Sequence, residues 1–169
     1  MASGKQTGLI AEMSAKFGDK WDTFKPITER LIEMGYKPAR RKKSTYMVEF
    51  EKYGKIISKM ELSNEFGPLF WFRFSGCKSY PPLFHQALRR RPVAWVKRGQ
   101  DWQNHDKSKC CGLCRSEPRF YRHMNNSGEE IERCSGYTVA VPGVTVEDVP
   151  DILRMIDEQD EYFKAVFGT

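Results

Sequence analysis

Three runs of alternating apolar and polar residues, between residues 45 and 74, constrain the fold of this chain more than any other feature. The runs cover residues 45–51, 55–62 and 69–74, and the breaks at Tyr53-Gly54 and residues 64–68 have the composition of hairpin turns. Because neighbouring residues of a strand lie on opposite faces, this period of two predicts an antiparallel meander.

The third run is apolar on both faces of its strand, since three phenylalanines alternate with Leu69, Trp71 and Arg73. We therefore predict that this strand is central in the sheet or covers a cavity. A pocket on this part of the sheet would be apolar with a cationic rim, and its candidate ligand-binding residues are Trp71, Phe72, Arg73 and Trp95. The alternative is that these aromatic side chains simply belong to the core.

Helical patterns on both sides of the meander predict an α+β fold. Apolar residues spaced by three and four from Trp21 to Met34 indicate a helix that ends at Gly35, and Pro26 favours a start near Lys25. A short helix opens at Pro81-Pro82, a strand is predicted at residues 137–141, and a last amphipathic helix follows Thr145 as its N-cap. The sheet, made of the meander and later strands, is expected to pack against the N-terminal and C-terminal helices.

The length and composition suit one domain. A chain of 169 residues that is 40% hydrophobic and 13% aromatic is long and apolar enough to bury a core. We predict that residues 1–16 form a weakly ordered lead-in or a short helix. Residues 17–169 are predicted to form a single α+β domain with a cysteine-rich insertion at 99–136. No run of apolar residues approaches the roughly 18 that a membrane span needs, and no apolar core of a signal peptide follows residues 1–6. We therefore expect a cytoplasmic protein without a membrane partner.

The cysteines predict a metal site. Four of the five lie close together in the sequence, which in a reducing compartment favours metal or redox chemistry over disulfides. Cys111 and Cys114 form a Cys-x-x-Cys turn, and Cys134, from a later strand, would supply a third thiolate to a tetrahedral zinc ion. The candidates for the fourth ligand, in order of preference, are His123, Cys110, Cys77 and His105.

The metal ion is predicted to have a structural role. Residues 99–133 contain few apolar side chains, so zinc binding would supply folding energy that burial cannot supply there. The alternatives are an iron–sulfur cluster, thiol redox chemistry, or a cluster of reduced cysteines without a ligand.

Two clusters of basic residues are the basis of an alternative function. The chain carries a net charge of +6, and its most concentrated basic residues are Lys37, Arg40, Arg41, Lys42, Lys43, Arg89, Arg90, Arg91, Lys97 and Arg98. Such clusters attract polyanions, so a nucleic-acid-associated protein is one prediction, although no docking motif is visible and a charge run is usually a solvated face.

No catalytic residue is predicted. His85, His105 and His123 do not stand in a nucleophile–base spacing, and no phosphate-binding glycine loop or paired-carboxylate motif is present. The question of enzymatic activity therefore stays open, with a thiol-dependent or metal-dependent enzyme as the third alternative. The preferred prediction is a small zinc-stapled binding module for an unidentified small molecule or polyanion.

The order of these elements resembles small bacterial α+β domains of the kind found in anaerobic Firmicutes. The residues that carry the resemblance are Cys111-Gly-Leu-Cys114, Glu117-Pro-Arg-Phe-Tyr121 and the segment from Cys134 to Pro150. The resemblance implies the α+β fold and the cysteine segment, and it implies no activity because these domains carry no agreed one.

Overall fold

The structure, a computed structural model, describes residues 4–41, 45–89, 120–124, 130–134 and 138–168, and it describes the side chains of residues 6–41, 45–88 and 138–168. The helices are α1 Gly4–Phe17, α2 Trp21–Glu33, α3 Pro82–Arg89 and α4 Val149–Phe167. The strands are β1 Lys37–Arg41, β2 Tyr46–Lys52, β3 Lys55–Ser63, β4 Gly67–Arg73, β5 Phe120–Met124, β6 Glu130–Cys134 and β7 Thr138–Pro142.

The main sheet has five strands in the order β1-β2-β3-β4-β7, and all neighbouring strands are antiparallel. The predicted α+β class and the meander are confirmed, since β2, β3 and β4 correspond to the three alternating runs. Strand β4 lies inside the sheet between β3 and β7, as its two apolar faces predicted. Strand β1 was not predicted because its sequence reads as a basic run; Pro38 is tolerated there because β1 is an edge strand of the described sheet.

Helices pack on one face of this sheet and bury the core. Thr28 of α2 donates a hydrogen bond to the sulfur of Met60, and the ring of Phe84 in α3 makes an edge contact with Phe72. Helix α4 lies beside α2, where Arg30 forms an ion pair with Asp157. The fully buried residues of the sheet on this face include Val48, Phe50, Met60, Phe70 and Phe72. The predicted common face of the phenylalanines is therefore the core face.

Helix α2 begins four residues earlier than predicted, and Pro26 lies within it. Proline removes the hydrogen bond to the carbonyl of Asp22, but the position falls near the start of the helix, where few hydrogen bonds of the helix are affected. The predicted end is confirmed: Gly35 has a φ of +86°, its N–H donates to Ile32, and the N–H of Tyr36 donates to Leu31. These two hydrogen bonds form a Schellman motif.

The first residues form a regular helix, which is the second of the two alternatives considered for them. Met13 and Phe17 of α1 are buried, and the ring of Phe17 contacts both Phe24 and Tyr46. Two apolar side chains thus attach α1 to the core, a signal too sparse in the sequence to predict its length.

Two further local features differ from the prediction. The register between β2 and β3 shifts at Phe50/Glu51, and Ile57, predicted on the solvated face of β3, is fully buried beside this irregularity. Strands β5 and β6 pair in a separate antiparallel sheet within the cysteine-rich insertion, where only a strand carrying Cys134 was predicted.

The turn after β4 holds α4 against the sheet. The side-chain oxygen of Gln159 accepts a hydrogen bond of 2.7 Å from the N–H of Gly76, and its amide nitrogen donates to the hydroxyl of Ser75. Gln159 is completely buried, so these bonds satisfy a polar side chain that would otherwise destabilise the core. Helix α4 itself follows a short 3₁₀ turn, in which the carboxylate of Asp148 accepts a hydrogen bond from the N–H of Thr145, the predicted N-cap.

Candidate functional site

The face of the sheet opposite the core, which we call the outer face, carries most of the sheet's charged residues. The antiparallel register aligns side chains of this face in rows across the strands. One row consists of Ala39, Glu49, Lys59, Trp71 and Ala140. The next row consists of Arg41, Met47, Glu61, Leu69 and Pro142.

Glu49 is a buried carboxylate at the centre of β2 on the outer face. Lys59 lies 2.9 Å from one of its oxygens, and the guanidinium of Arg41 donates a hydrogen bond to the other. Burial raises the pKa of Glu49, but the hydrogen bonds and positive charges of Lys59 and Arg41 outweigh it and hold the pKa below its ordinary value. Glu49 is therefore ionised at neutral pH and fully matched by two cations.

Glu49 is expected to make stability depend on pH. Since its pKa is lower in the folded state, the ionised group stabilises the fold above the unfolded-state pKa of about 4.3, and this contribution is lost as the pH falls through the folded-state pKa. We expect Glu49→Gln to lower the free energy of unfolding by about 1–3 kcal/mol at neutral pH and by less at an acidic pH below the folded-state pKa of Glu49. Urea unfolding at both pH values measures this difference.

The exposed Glu51 on the same strand provides the matched control, and Glu51→Gln should have little effect at either pH. An equal loss for Glu49→Gln at both pH values would show that the stabilisation comes from packing and not from charge.

Trp71 and Glu61 form the second polar group of the outer face. The indole N–H of Trp71 donates a hydrogen bond of 2.8 Å to one oxygen of Glu61, and the hydroxyl of Thr45 donates one of 2.8 Å to the other. Trp71 and Glu61 are half-buried. The hydrogen bond fixes the orientation of the indole ring, because rotation about its side-chain bonds would break it.

The partners of this second group are all neutral. Within the described part of the chain, no Lys or Arg forms an ion pair with Glu61, and the ring of Trp71 contacts neither another aromatic ring nor a cation. The nearest cation by register is Lys59, directly opposite Trp71, and its ammonium group is bound by Glu49. Among the described residues, the outer face thus contains a buried carboxylate with two cations, Glu49, and a half-buried carboxylate with none, Glu61.

The structure places the four candidate ligand-binding residues in different surroundings. Trp71 lies on the outer face, whereas Phe72 lies on the core face between the rings of Phe70 and Phe84. Arg73, at the end of β4, has its guanidinium 6.0 Å from the ring centroid of Phe163 in α4. Trp95 lies outside the described residues. Glu61 and Thr45, which sequence reasoning did not select, are the residues that contact Trp71 or its carboxylate partner.

The predicted metal ligands are mostly beyond what the structure describes. His105, Cys110, Cys111 and Cys114 lie outside the described residues. Cys134 is the last residue of β6, opposite Phe120, and His123 of β5 is opposite Ile131. Among the described residues, no three His, Cys, Asp or Glu side chains are grouped so that they suit a metal ion.

Cys77, one of the predicted candidates for the fourth metal ligand, follows β4 in the described part of the chain. It is buried after β4, and its thiol donates a weak hydrogen bond of 3.5 Å to the carbonyl of Met155. Burial raises the pKa of the Cys77 thiol, and the negative charge of Glu158 raises it further. In the metal-free protein Cys77 is therefore a protonated thiol at neutral pH, which does not favour reaction as a nucleophile.

We expect Cys77 to resist alkylation in the native protein. Iodoacetamide labelling at neutral pH followed by peptide mass spectrometry should leave Cys77 unmodified, and labelling in denaturant should modify it completely. Modification of Cys77 under native conditions at the rate of a free thiol would contradict its burial.

The first basic cluster is partly neutralised. Arg40 forms an ion pair with Glu12 and stacks on the ring of Tyr46, and Arg41 is bound to Glu49. Lys42, Lys43, Arg90 and Arg91 lie outside the described residues, as do Lys97 and Arg98; Arg89 is the last residue of α3. Both described arginines of the first cluster therefore have acidic partners.

Within the described ranges, no helix combines the length and the apolar composition needed to cross a membrane. Comparisons of the chain with models of protein families, with curated proteins and with solved structures found no match.

Proposed function

We propose that this protein is a small binding module that holds its ligand on the outer face of the sheet at Trp71. The observation that carries this proposal is the half-buried indole of Trp71, held in one orientation by Glu61 while its ring contacts no aromatic or cationic side chain of the described chain. A large, rigid and partly exposed aromatic ring loses little conformational entropy when a ligand packs against it.

The rest of the fold supports a binding role for this face. The core face is filled by helices, so the outer face is the side of the sheet on which a half-buried tryptophan and charged rows remain. The side chains around Trp71 are already tied to one another, through Thr45 to Glu61 and through Lys59 to Glu49. A site that is organised before binding spends less free energy on ordering its side chains.

Thermal unfolding with three small probes tests this site. The probes are choline, benzoate and 3,3-dimethylbutan-1-ol, which are a cation, an anion and a neutral molecule. A ligand that binds only the folded state raises the melting temperature, so at least one probe in excess should raise that of the wild type and not that of Trp71→Ala. Phe66→Ala is the control, since Phe66 is exposed at the β3–β4 turn.

Two outcomes would contradict the proposed site. One is that none of the three probes changes the melting temperature of the wild type. The other is that Trp71→Ala responds to a probe as strongly as the wild type and Phe66→Ala do.

The second part of the proposal is a structural zinc ion in the cysteine segment, held by Cys111, Cys114 and Cys134 in the reducing environment of the cytoplasm. It is supported by the Cys-x-x-Cys spacing and by the chemistry of thiolate ligands. Elemental analysis of the purified protein should find about one zinc ion per chain, and a chelator should lower the melting temperature. Purified protein without stoichiometric metal would overturn this part and leave the Trp71 site unaffected.

A further inference from the structure

We infer that the Trp71–Glu61 site binds a small organic cation, an alkylammonium group in particular. This inference rests on the proposed function, because it names the class of ligand for the same site. It differs from the cationic rim that the sequence predicted around Trp71, since the residue bound to the indole is a carboxylate.

The distribution of charge on the outer face favours a cationic ligand. The carboxylate of Glu49 is matched by Lys59 and Arg41, so neither cation is available to a ligand without breaking an existing ion pair. Among the described residues, the partners of the Glu61 carboxylate are the neutral donors Thr45 and Trp71. A half-buried negative charge without a cation is the group on this face that a positive ligand stabilises most.

The aromatic ring of Trp71 also favours a cationic ligand. An indole attracts a cation placed over its face, and tryptophan is the strongest aromatic partner for cations. Here the carboxylate accepts the hydrogen bond of the indole itself, so the negative charge and the ring belong to one rigid group. An ammonium group with methyl substituents contacts the ring and neutralises Glu61 at the same time, whereas an anion would be repelled by Glu61.

Trp71 has a small neighbour in its row, Ala140. Across the sheet, Trp71 lies between Lys59 on β3 and Ala140 on β7. The single methyl group of Ala140 leaves one side of the indole without a large side chain in its row. A compact ammonium group at the ring would therefore meet only this methyl group on that side of the row.

Choline and its uncharged isostere 3,3-dimethylbutan-1-ol provide the test, because they have the same shape and differ in charge. Isothermal titration of the wild type should show choline binding and a weaker interaction with the alcohol. Glu61→Gln keeps an acceptor for Trp71 and removes the charge, and it should raise the Kd of choline about tenfold. The control is Glu65→Gln, an equivalent change at an exposed position of the β3–β4 turn.

Three results would overturn the inference: no choline binding, equal binding of the alcohol, or an unchanged Kd in Glu61→Gln. The comparison of the two probes needs no variant, so it holds even where a substitution affects folding. If benzoate binds in a Trp71-dependent manner instead, the inference fails and the proposed site stands. If none of the probes binds, both fail.

Discussion

Replacing Phe72 by alanine is expected to lower the free energy of unfolding by about 3–5 kcal/mol. Phe72 is completely buried near the end of β4, where it stacks on Phe70 at 5.6 Å between ring centroids and contacts Phe84 edge-on at 5.7 Å. Truncation removes apolar contacts both with Phe70 in the sheet and with Phe84 in α3, and it leaves a cavity that these two rings cannot fill. Urea denaturation followed by circular dichroism measures the change.

Phe66→Ala is the matched control for this substitution. Phe66 is 59% exposed, so the same truncation removes few contacts and should change the free energy of unfolding by less than about 0.5 kcal/mol. Similar losses in the two variants would contradict the assignment of the core to the Phe72 face of the sheet.

Gly76→Ala is the second substitution with a large expected effect, a loss of about 3 kcal/mol or more. A β-carbon at this position would lie 2.5 Å from the β-carbon of Tyr162 and 2.9 Å from the carbonyl oxygen of Glu158. Both belong to α4, so the helix would have to move away from the turn. The movement would also stretch the hydrogen bond from Gly76 to Gln159.

Gly8→Ala separates this steric effect from the general effect of the substitution. Gly8 is exposed in α1, and a β-carbon there meets no atom within 4 Å. Alanine favours a helix over glycine, so this variant should be more stable by about 0.5–1 kcal/mol. Thermal melts of both variants test the pair, and a Gly76→Ala protein as stable as the wild type would show that α4 does not dock closely on the turn.

Much of the sheet is predictable from sequence because its signals are local. The turn at Tyr53-Gly54 has both residues at positive φ, 55° and 67°, which matches the two-residue hairpin that the sequence indicates. Alternation assigned Phe70 and Phe72 to one face, and burial confirms it. The end of α2 at Gly35 follows in the same way from the left-handed conformation that glycine tolerates.

The missed features depend on contacts between distant parts of the chain. Strand β1 exists because it pairs with β2, and its own residues carry no alternation that predicts a strand. The burial of Ile57 depends on a register shift relative to β2, which the sequence of β3 alone does not encode. The family resemblance and the metal ligands Cys111 and Cys114 stay predictions, and the latter lie outside the described residues.

Of the residues in the candidate site, sequence patterns predicted only Trp71. The sequence pointed to Arg73 as its charged neighbour because the two residues lie on the same face of one strand. The partner is Glu61 on the adjacent strand, diagonal to Trp71 in the β3–β4 register. A signal for it was present, since Glu61 falls on the same face of β3 as Lys59, but the pairing of acid with indole depends on a register that sequence patterns leave open.

The most direct test of the central claim, that the ligand lies on the outer face at Trp71, is the indole N–H resonance of Trp71 in ¹⁵N-labelled protein. Trp71→Phe assigns this resonance, and the half-buried Trp21 at the start of α2 provides an internal control. Titration with choline should shift the signal of Trp71 and leave that of Trp21 unchanged. A Trp71 signal that stays fixed while choline binds elsewhere, or that stays fixed with all three probes, would contradict the claim.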